Sequence, residues 1–474
     1  MRKTRIICTI GPATGTQSML ERIIRAGMDV ARLNMSHGSH RDHKGYIRAI
    51  RAASRKLDRP VGILLDLQGI KIRISDVAGD EISLRKGSEV LLRSGQRPST
   101  TETLYLSYPT LAKDVKTDHR VLLDDGLIEL VVTGSKGNAL VAKVTEGGHI
   151  TSHKGVNLPD SAVSARPFTD KDHRDLQFGV REGIDAVALS FVTREDDVSL
   201  LRRSLTRMDS AIPIIAKIEK PVAVDRIEPI LDVADGIMVA RGDLGVESSP
   251  FAVPLIQKNL IHKANRKQRL VITATQMLES MIENPVPTRA EATDVANAVL
   301  DGSDSVMLSG ETSVGKHPVK TVRMMARIIE EAESKGLAFQ TQLPVPEPVE
   351  GSDFHRTSFA VTDAAVSAAA DVRARCIVAL TRSGYTAGLL SKFRPQVPII
   401  AFTSDRAVIN RMKLYWGVIP LYMKQLNSTD TMISEVETAL LKRRYARRGD
   451  DVIITASLPM KSRDKTNFLK VHRI

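Results

Sequence analysis

The stretch "ILLDLQGIKIRI", residues 63–74, decides how this chain is assembled. Its first half, Ile63-Leu64-Leu65-Asp66-Leu67, is an apolar run of strand length interrupted by a single carboxylate. Gly69 breaks the run, and Lys71 and Arg73 follow at alternating positions, as on a strand with one wet face. An acid at the end of one strand and two cations just beyond it mark a border between two kinds of structure.

Upstream of that border the pattern is apolar strand, polar turn, amphipathic helix. The runs "RIICTI", "DVARLNM" and "VGILLDL" alternate with helix patterns such as "SMLERIIRAG". From about Lys71 to Pro167 the helical period disappears, and segments such as "HRVLLDDGLIELVVTGSKGNALVAKV" read as strands and turns. The first rhythm then resumes with "DAVALSFV", "IPIIAKI", "GIMVA", "LVITAT" and "DSVMLSG". With the helix "VKTVRMMARIIEEAESKG" placed last, the chain holds eight strand–helix units. Eight alternating units predict a closed (β/α)8 TIM barrel. An open doubly wound sheet is the alternative, but no G-x-G-x-x-G follows the first strand. The expected domains are a barrel at 1–70 and 168–340, an inserted β-barrel lid at 71–167, and a C-terminal α/β domain at 350–474 beyond the Pro-rich linker "LAFQTQLPVPEPVEGSD".

At 474 residues, the chain needs more than one core. Its 42% hydrophobic and 26% charged content are ordinary for a globular protein, and no apolar run reaches the roughly 18 residues of a membrane helix. The N-terminus opens into a strand-like run without a signal-peptide pattern, and Cys8 and Cys376 both sit inside apolar runs. These features predict buried reduced thiols and a cytoplasmic protein. The net charge of +13 raises the question of nucleic acid. The cations are mostly spread along helix faces, and aromatics are only 4%, so no nucleic-acid partner is expected. The densest cluster, "LKRRYARRGDD" at 441–451, lies near a helix end, where cations suit the dipole.

A barrel of this type places its chemistry at the C-terminal ends of its strands. Strand two ends in Arg32, Asn34, Ser36 and His37, and strand three in Asp66. Strand five carries Lys217 and Glu219, and strand six runs into Arg241 and Asp243. Strand seven offers Thr273 and Thr275, and strand eight Ser309 and Glu311. Glu219 and Asp243 suit Mg²⁺ (or Mn²⁺), which takes one or two carboxylates plus substrate oxygens. Lys217, two residues before Glu219, points to the same side of the strand. Cations converging beside such a site are what phosphoryl transfer requires. Singly, each has a plainer explanation: a surface ion pair, a turn residue, a capping hydroxyl. Their coincidence on six of eight strand ends is what points to one task.

These residues resemble the pyruvate kinase family. The resemblance is carried by "ARLNMSHG" (31–38), "IIAKIEKP" (214–221), "VARGDLGVE" (239–247), "LLDDGLI" (122–128) and the long "ITATQMLESMIENPVPTRAEATDVANAVLDGSDSVMLSGET" (272–312). It implies transfer of a phosphoryl group from phosphoenolpyruvate to ADP, giving pyruvate and ATP. It assigns Glu219 and Asp243 to Mg²⁺, Lys217 to the group in transit, and Arg32 and Arg73 to the phosphate. The substrate carboxylate falls to Gly242, Asp243 and Thr275, and enolate protonation to a water relay near Thr275 and Ser309. Pro12, Asn34, Ser36 and His37 fall on the nucleotide side. The resemblance also implies a homotetramer and a lid that closes to exclude water.

Departures from the family pattern sharpen the reading. Many members carry D-T-K-G-P-E-I-R where this chain has Asp66-Leu67-Gln68-Gly69-Ile70-Lys71-Ile72-Arg73. Members with Glu at position 71 hold K⁺ among the equivalents of Asn34, Ser36, Asp66 and the Leu67 carbonyl. Lys at 71 is similar to the K⁺-independent branch, and an ammonium can stand in for that ion. Ile70 frees the hinge from the usual proline, Gln177 replaces a usual Lys, and "LPDSAVSARP" at 158–167 differs from the common return strand. In the C-terminal domain "TRSGYTAG" offers Thr381, Arg382, Ser383, Gly384 and Thr386 at a strand-to-helix turn, an anion site of the kind relatives use for a sugar phosphate or nucleotide effector. Lys461, Arg463 and Lys465 add charge nearby. The rival readings are a catalytically silent family member and another enolate-handling barrel enzyme.

Overall fold

The computed structural model describes residues 2–161, 164, 166–336, 343–348, 353–424, 428–459 and 465–474. Eight parallel strands close a barrel: β1 (Arg5–Thr9), β2 (Val30–Asn34), β3 (Gly62–Asp66), β4 (Ala186–Leu189), β5 (Ile214–Ile218), β6 (Gly236–Ala240), β7 (Leu270–Ala274) and β8 (Ser305–Leu308). Each neighbours the next, and β8 returns to β1. With side chains inside and helices outside, the strands are buried on both faces, which explains continuous apolar runs in place of alternation.

The helices announce themselves by their caps. Ser39, Thr169 and Thr288 each accept a hydrogen bond from the backbone three residues on, and Asp42, Asp172 and Glu291 return the bond. Helix His40–Leu57 then buries His43, Ile47, Ile50 and Ala53, a stripe at three- and four-residue spacing.

Between β3 and the helix Asp170–Glu182 lies a β-rich insertion. It contains a six-stranded sheet and a separate two-stranded pair, Glu81–Leu84 with Gly148–Thr151. Its core, including Leu92, Leu104, Tyr108, Leu123 and Leu130, is separate from that of the barrel. The chain enters it through Gly69 at φ +67°, where a Cβ would come within 3.0 Å of the Phe191 ring, so both the conformation and the space demand glycine. Three residues of the altered 158–167 segment, at 162, 163 and 165, lie outside the described residues.

The C-terminal part packs helix Asp353–Asp371 on a five-stranded sheet. Two of its strands, Val418–Tyr422 and Phe468–Arg473, were not visible in the sequence pattern. Both are edges. Pro420 sits in the first, a place where a missing N–H costs no ladder bond. Between sheet strands the chain dips to the barrel floor, where Leu414 is 2% exposed and shares a cluster with Ile7, Val30, Leu64, Ile215 and Met238. Arg5 Nε donates to the Tyr415 carbonyl at 2.9 Å, and Gly417 N–H to the Lys3 carbonyl at 3.0 Å. Cys8 and Cys376 are buried and unpaired. Among the described residues, no helix is long and apolar enough to cross a membrane.

Candidate active site

The C-terminal ends of β2, β3 and β5 bring Arg32, Asp66, Lys217 and Glu219 into one network. Arg32 holds Asp66 through Nε and Nη2, both at 2.7 Å, and its Nη1 donates to Thr9 Oγ1 at 2.9 Å. Lys217 Nζ lies 2.9 Å from Glu219 Oε1, 3.4 Å from Asp66 Oδ1 and 2.7 Å from Ser190 Oγ. Ser190 in turn donates to the Leu67 carbonyl at 2.7 Å. Glu219 also accepts the Phe191 N–H at 2.5 Å, at a residue with φ +54°. Ser190 and Phe191 escaped the sequence reading. The signal was there, since Ser190 is the polar residue that ends the fourth strand run, as Asp66 ends the third.

The Lys217 side chain is 12% exposed, those of Asp66 and Glu219 1%. Burial alone would lower the Lys217 ammonium; Asp66 and Glu219 outweigh it and raise its pKa. Asp66 faces the same burial penalty, but Lys217 and Arg32 pull its carboxyl below the usual range. Glu219 moves the other way. Burial drives its pKa up against the pull of Lys217, because it shares that cation with Asp66 and faces a second carboxylate at Asp243. The Asp243 charge thus opposes ionisation of Glu219.

Asp243 lies in the first turn of helix Arg241–Glu247, which begins directly after β6. The Gly242 N–H donates to Thr275 Oγ1 at 2.8 Å, and that hydroxyl donates to the Ala274 carbonyl at 2.6 Å. Thr275 and Gln276 both have positive φ, +67° and +53°. Buried Arg241 explains how they are held: it donates to the Thr275 carbonyl at 2.7 Å and pairs with Asp294 at 2.6 Å. At the end of β8 the Ser309 N–H donates to Glu311 Oε2 at 2.6 Å, while the buried Ser309 hydroxyl has no protein partner.

Asn34 Oδ1 accepts the Ser36 N–H at 3.1 Å, and Pro12 is exposed at the same mouth. His37 is lowered below the ordinary imidazole value by burial and then by Lys71, Arg73 and Arg32. Lys71 has Asp243 and Asp125 as attracting neighbours, with Arg73 and Lys217 opposing. Arg73 belongs to the insertion: its Nη1 donates to the His153 carbonyl at 2.7 Å and its N–H to Ser107 Oγ. Gln177 is exposed beside His173. On the same helix Lys171, unmarked in the sequence reading, donates to the Met35 carbonyl at 2.7 Å.

In the C-terminal loop the Thr381 hydroxyl accepts the Gly384 N–H at 3.0 Å, and Ser383 Oγ the Tyr385 N–H at 3.4 Å. Thr386 meets Thr466 hydroxyl to hydroxyl at 2.7 Å, closing the loop on the last segment. Arg382 is exposed and Lys465 half-buried, whereas Lys461 and Arg463 lie outside the described residues.

The chain matches the pyruvate kinase barrel domain family over residues 1–322 and the pyruvate kinase alpha/beta domain family over residues 359–472. It is 43% identical over 477 residues to the pyruvate kinase of Sporosarcina psychrophila, covering 100% of this chain and 81% of that one. Identity to the pyruvate kinase of Staphylococcus aureus strain MRSA252 is 42% over 481 residues, with the same coverage. The crystal structure of a pyruvate kinase from Cryptosporidium parvum superposes with a TM-score of 0.92 at 37% identity, covering 100% of this chain and 96% of that one.

Proposed function

This chain belongs to the pyruvate kinase family, a phosphotransferase of glycolysis that makes pyruvate and ATP from phosphoenolpyruvate and ADP, and from that premise we propose how its own residues carry the reaction. The observation that supports the assignment best is the buried Lys217, fixed between Asp66 and Glu219 at the top of the barrel. Its ammonium neutralises the phosphoryl group in transit and the enolate left behind. Arg32 and Arg73 hold the phosphate from the barrel and from the lid. The substrate carboxylate lies at the start of helix Arg241–Glu247, against Gly242, Asp243 and Thr275, and the unpartnered Ser309 hydroxyl belongs with Thr275 to the proton relay. ADP enters on the side of Pro12, Asn34 and His37.

Glu219 and Asp243 are the carboxylates that would hold Mg²⁺. Two carboxylates suit an ion that completes its shell with substrate oxygens and water. Burial, and then the charge of Asp243, raise Glu219, and both are what a divalent cation would relieve. When bound, Mg²⁺ would supply positive charge that offsets the charge developing in transfer.

Lys71 supplies the monovalent charge that K⁺ gives in other members, with Asn34, Ser36, Asp66 and the Leu67 carbonyl forming the rest of that pocket. In support, Lys71 and Asp243 line one cavity, and the Lys71 charge acts on His37, next to Ser36. We further propose a cytoplasmic homotetramer, for which Phe251 and Leu255, 87% and 72% exposed, offer apolar surface a second copy would bury. A phosphorylated sugar or nucleotide is proposed to bind the Thr381–Thr386 loop. The decisive assay couples pyruvate formation from phosphoenolpyruvate and ADP to a dehydrogenase in buffers free of K⁺. Turnover that needs both substrates and Mg²⁺ but not K⁺ is expected; near-total loss rescued by K⁺ would refute the role of Lys71. Turnover without ADP would point to a lyase.

A further inference from the structure

Carboxylates around this barrel come in two kinds. Asp29, Asp185, Asp235 and Asp304, one before every second strand, accept the N–H of Ile6, Ile63, Ile214 and Val271 on the preceding strand. Those bonds stay inside one rigid frame. Glu247 differs. Its side chain is 2% exposed at the end of helix Arg241–Glu247, yet one of its bonds comes from the insertion. Asn157 Nδ2 donates to Glu247 Oε1 at 2.8 Å, and Lys220 Nζ lies 3.4 Å from Oε2. Among the described residues, this is the only side-chain hydrogen bond that runs from residues 71–161 to the barrel.

The partners of Glu247 connect it to both sides of the cleft. Asn157 belongs to the short strand Val156–Asn157, which pairs with Arg120–Leu123, and the Val156 N–H donates to the Ile72 carbonyl at 3.0 Å. The position of Asn157 therefore follows the insertion as a whole. Lys220 directly follows Glu219, and Glu247 lies four residues after Asp243, on the same face of the helix. One buried carboxylate thus ties the insertion to both stretches that carry the proposed Mg²⁺ carboxylates. Asn157, Lys220 and Glu247 line one cavity with Lys71, Asp125 and Asp243.

We propose that Glu247 is a positioning residue that latches the insertion over the site through Asn157, with Lys220 holding its carboxylate in place, so that water is kept from the phosphoryl group. The proposal rests on the phosphoryl-transfer reading of the site. A buried acceptor that loses its partner is costly, so the Asn157 bond favours the closed arrangement and gives way to water when the insertion swings out. With the latch weakened, water competes with ADP. The P–O bond to the enolpyruvate oxygen then breaks as a P–O bond to water forms. Phosphate leaves, and a proton from that water ends on the enol carbon to give pyruvate.

The test uses the full chain, with phosphate and ATP release measured together in phosphoenolpyruvate, ADP and Mg²⁺. Asn157→Asp sets a second carboxylate against Glu247 and is expected to raise the phosphate-to-ATP ratio and the phosphoenolpyruvate KM by about fivefold or more. Amide exchange across residues 156–158, followed without substrates or metal, should quicken as well. Adding Glu247→Gln exchanges donor and acceptor and should bring all three readings within about twofold of the parent. A merely structural bond would lower the melting temperature and leave the phosphate-to-ATP ratio unaltered, which overturns the proposal. A pair as defective as Asn157→Asp alone overturns it too. If the parent forms no ATP, the reading of the site fails, and exchange alone judges the latch. Faster exchange in Asn157→Asp that the pair reverses then supports it; no reversal, or exchange like the parent's, overturns it. Should Asn157→Asp fail to fold, Asn157→Ala replaces it, a raised ratio supporting the latch and an unaltered ratio overturning it.

Discussion

The two mouths of the barrel carry nearly the same residue types and use them in opposite ways. At the N-terminal mouth four aspartates each accept a backbone N–H from the neighbouring strand and own at least one cation. At the C-terminal mouth three carboxylates, Asp66, Glu219 and Asp243, face Arg32 and Lys217, and of the first two only Glu219 accepts a backbone N–H. Carboxylates that accept a backbone N–H of the neighbouring strand lock strand register. Carboxylates that share their cations are the ones proposed to take an ion and a substrate. In this barrel the division between a stabilising floor and a reactive top is a difference in how completely the charges are satisfied.

The hardest blow to that comparison is Lys217→Met. If the top is reactive and not structural, turnover should fall by roughly a thousandfold, the scale of losing a preorganised charge-stabilising group. The variant should still fold, as read by circular dichroism, and retained turnover would refute the assignment. Glu219→Gln is the next test. It removes one of the two carboxylates proposed to hold Mg²⁺, so the Mg²⁺ concentration for half-maximal activity should rise at least tenfold in a metal titration.

The floor answers in stability instead. Asp29→Asn takes from Arg2, Arg5 and Lys413 the carboxylate they share and should destabilise the fold by about 3–5 kcal/mol in denaturant melts. Turnover per folded molecule should stay within about twofold, and a larger loss would erase the distinction between the mouths. Lys71→Glu probes the edge between top and lid. On the proposed role of Lys71, it should create a several-fold activation by K⁺ that the parent lacks, measured against a Na⁺ control.

The smallest effect concerns the lid alone. Burial works against the Asp114 carboxylate, but bonds from Tyr108, Ser164 and Thr110 bring its pKa down to about 2. A depressed carboxylate contributes stability that is complete above its unfolded pKa of about 4 and is lost as pH falls towards the folded value. Lid melting should therefore weaken between about pH 4 and pH 2. Asp114→Asn should flatten that slope; an unchanged slope would remove Asp114 from the account.

Much of this was legible without coordinates. Eight apolar runs with helices between them predicted the barrel, and the loss of helical period after Gly69 predicted the insertion. Strand-end polar residues located Arg32, Asp66, Lys217, Glu219 and Asp243, because strand direction alone decides which mouth they reach. The aspartate before every second strand was equally visible as "MDV", "IDA", "ADG" and "SDS", but it lies at strand beginnings, where no chemistry was sought. Edge strands stayed hidden because Pro420 and the mixed composition of Phe468–Arg473 break the usual signals.

The sequence by itself determined the order of elements and the inventory of charges, since both follow from local period and residue type. Tertiary structure alone decided who shares a charge with whom. Ser190 reaches Lys217 across 27 residues, Lys392 reaches Asp304 across 88, and Leu414 closes a barrel core drawn from every strand. Such contacts carry no local signature, because barrel closure and domain docking create them. The questions raised at residues 63–74 divide along that line. Asp66 ending a strand was written in the chain, while its partnership with Arg32 and Lys217, and the placing of Lys71 near Asp243, came only with the fold.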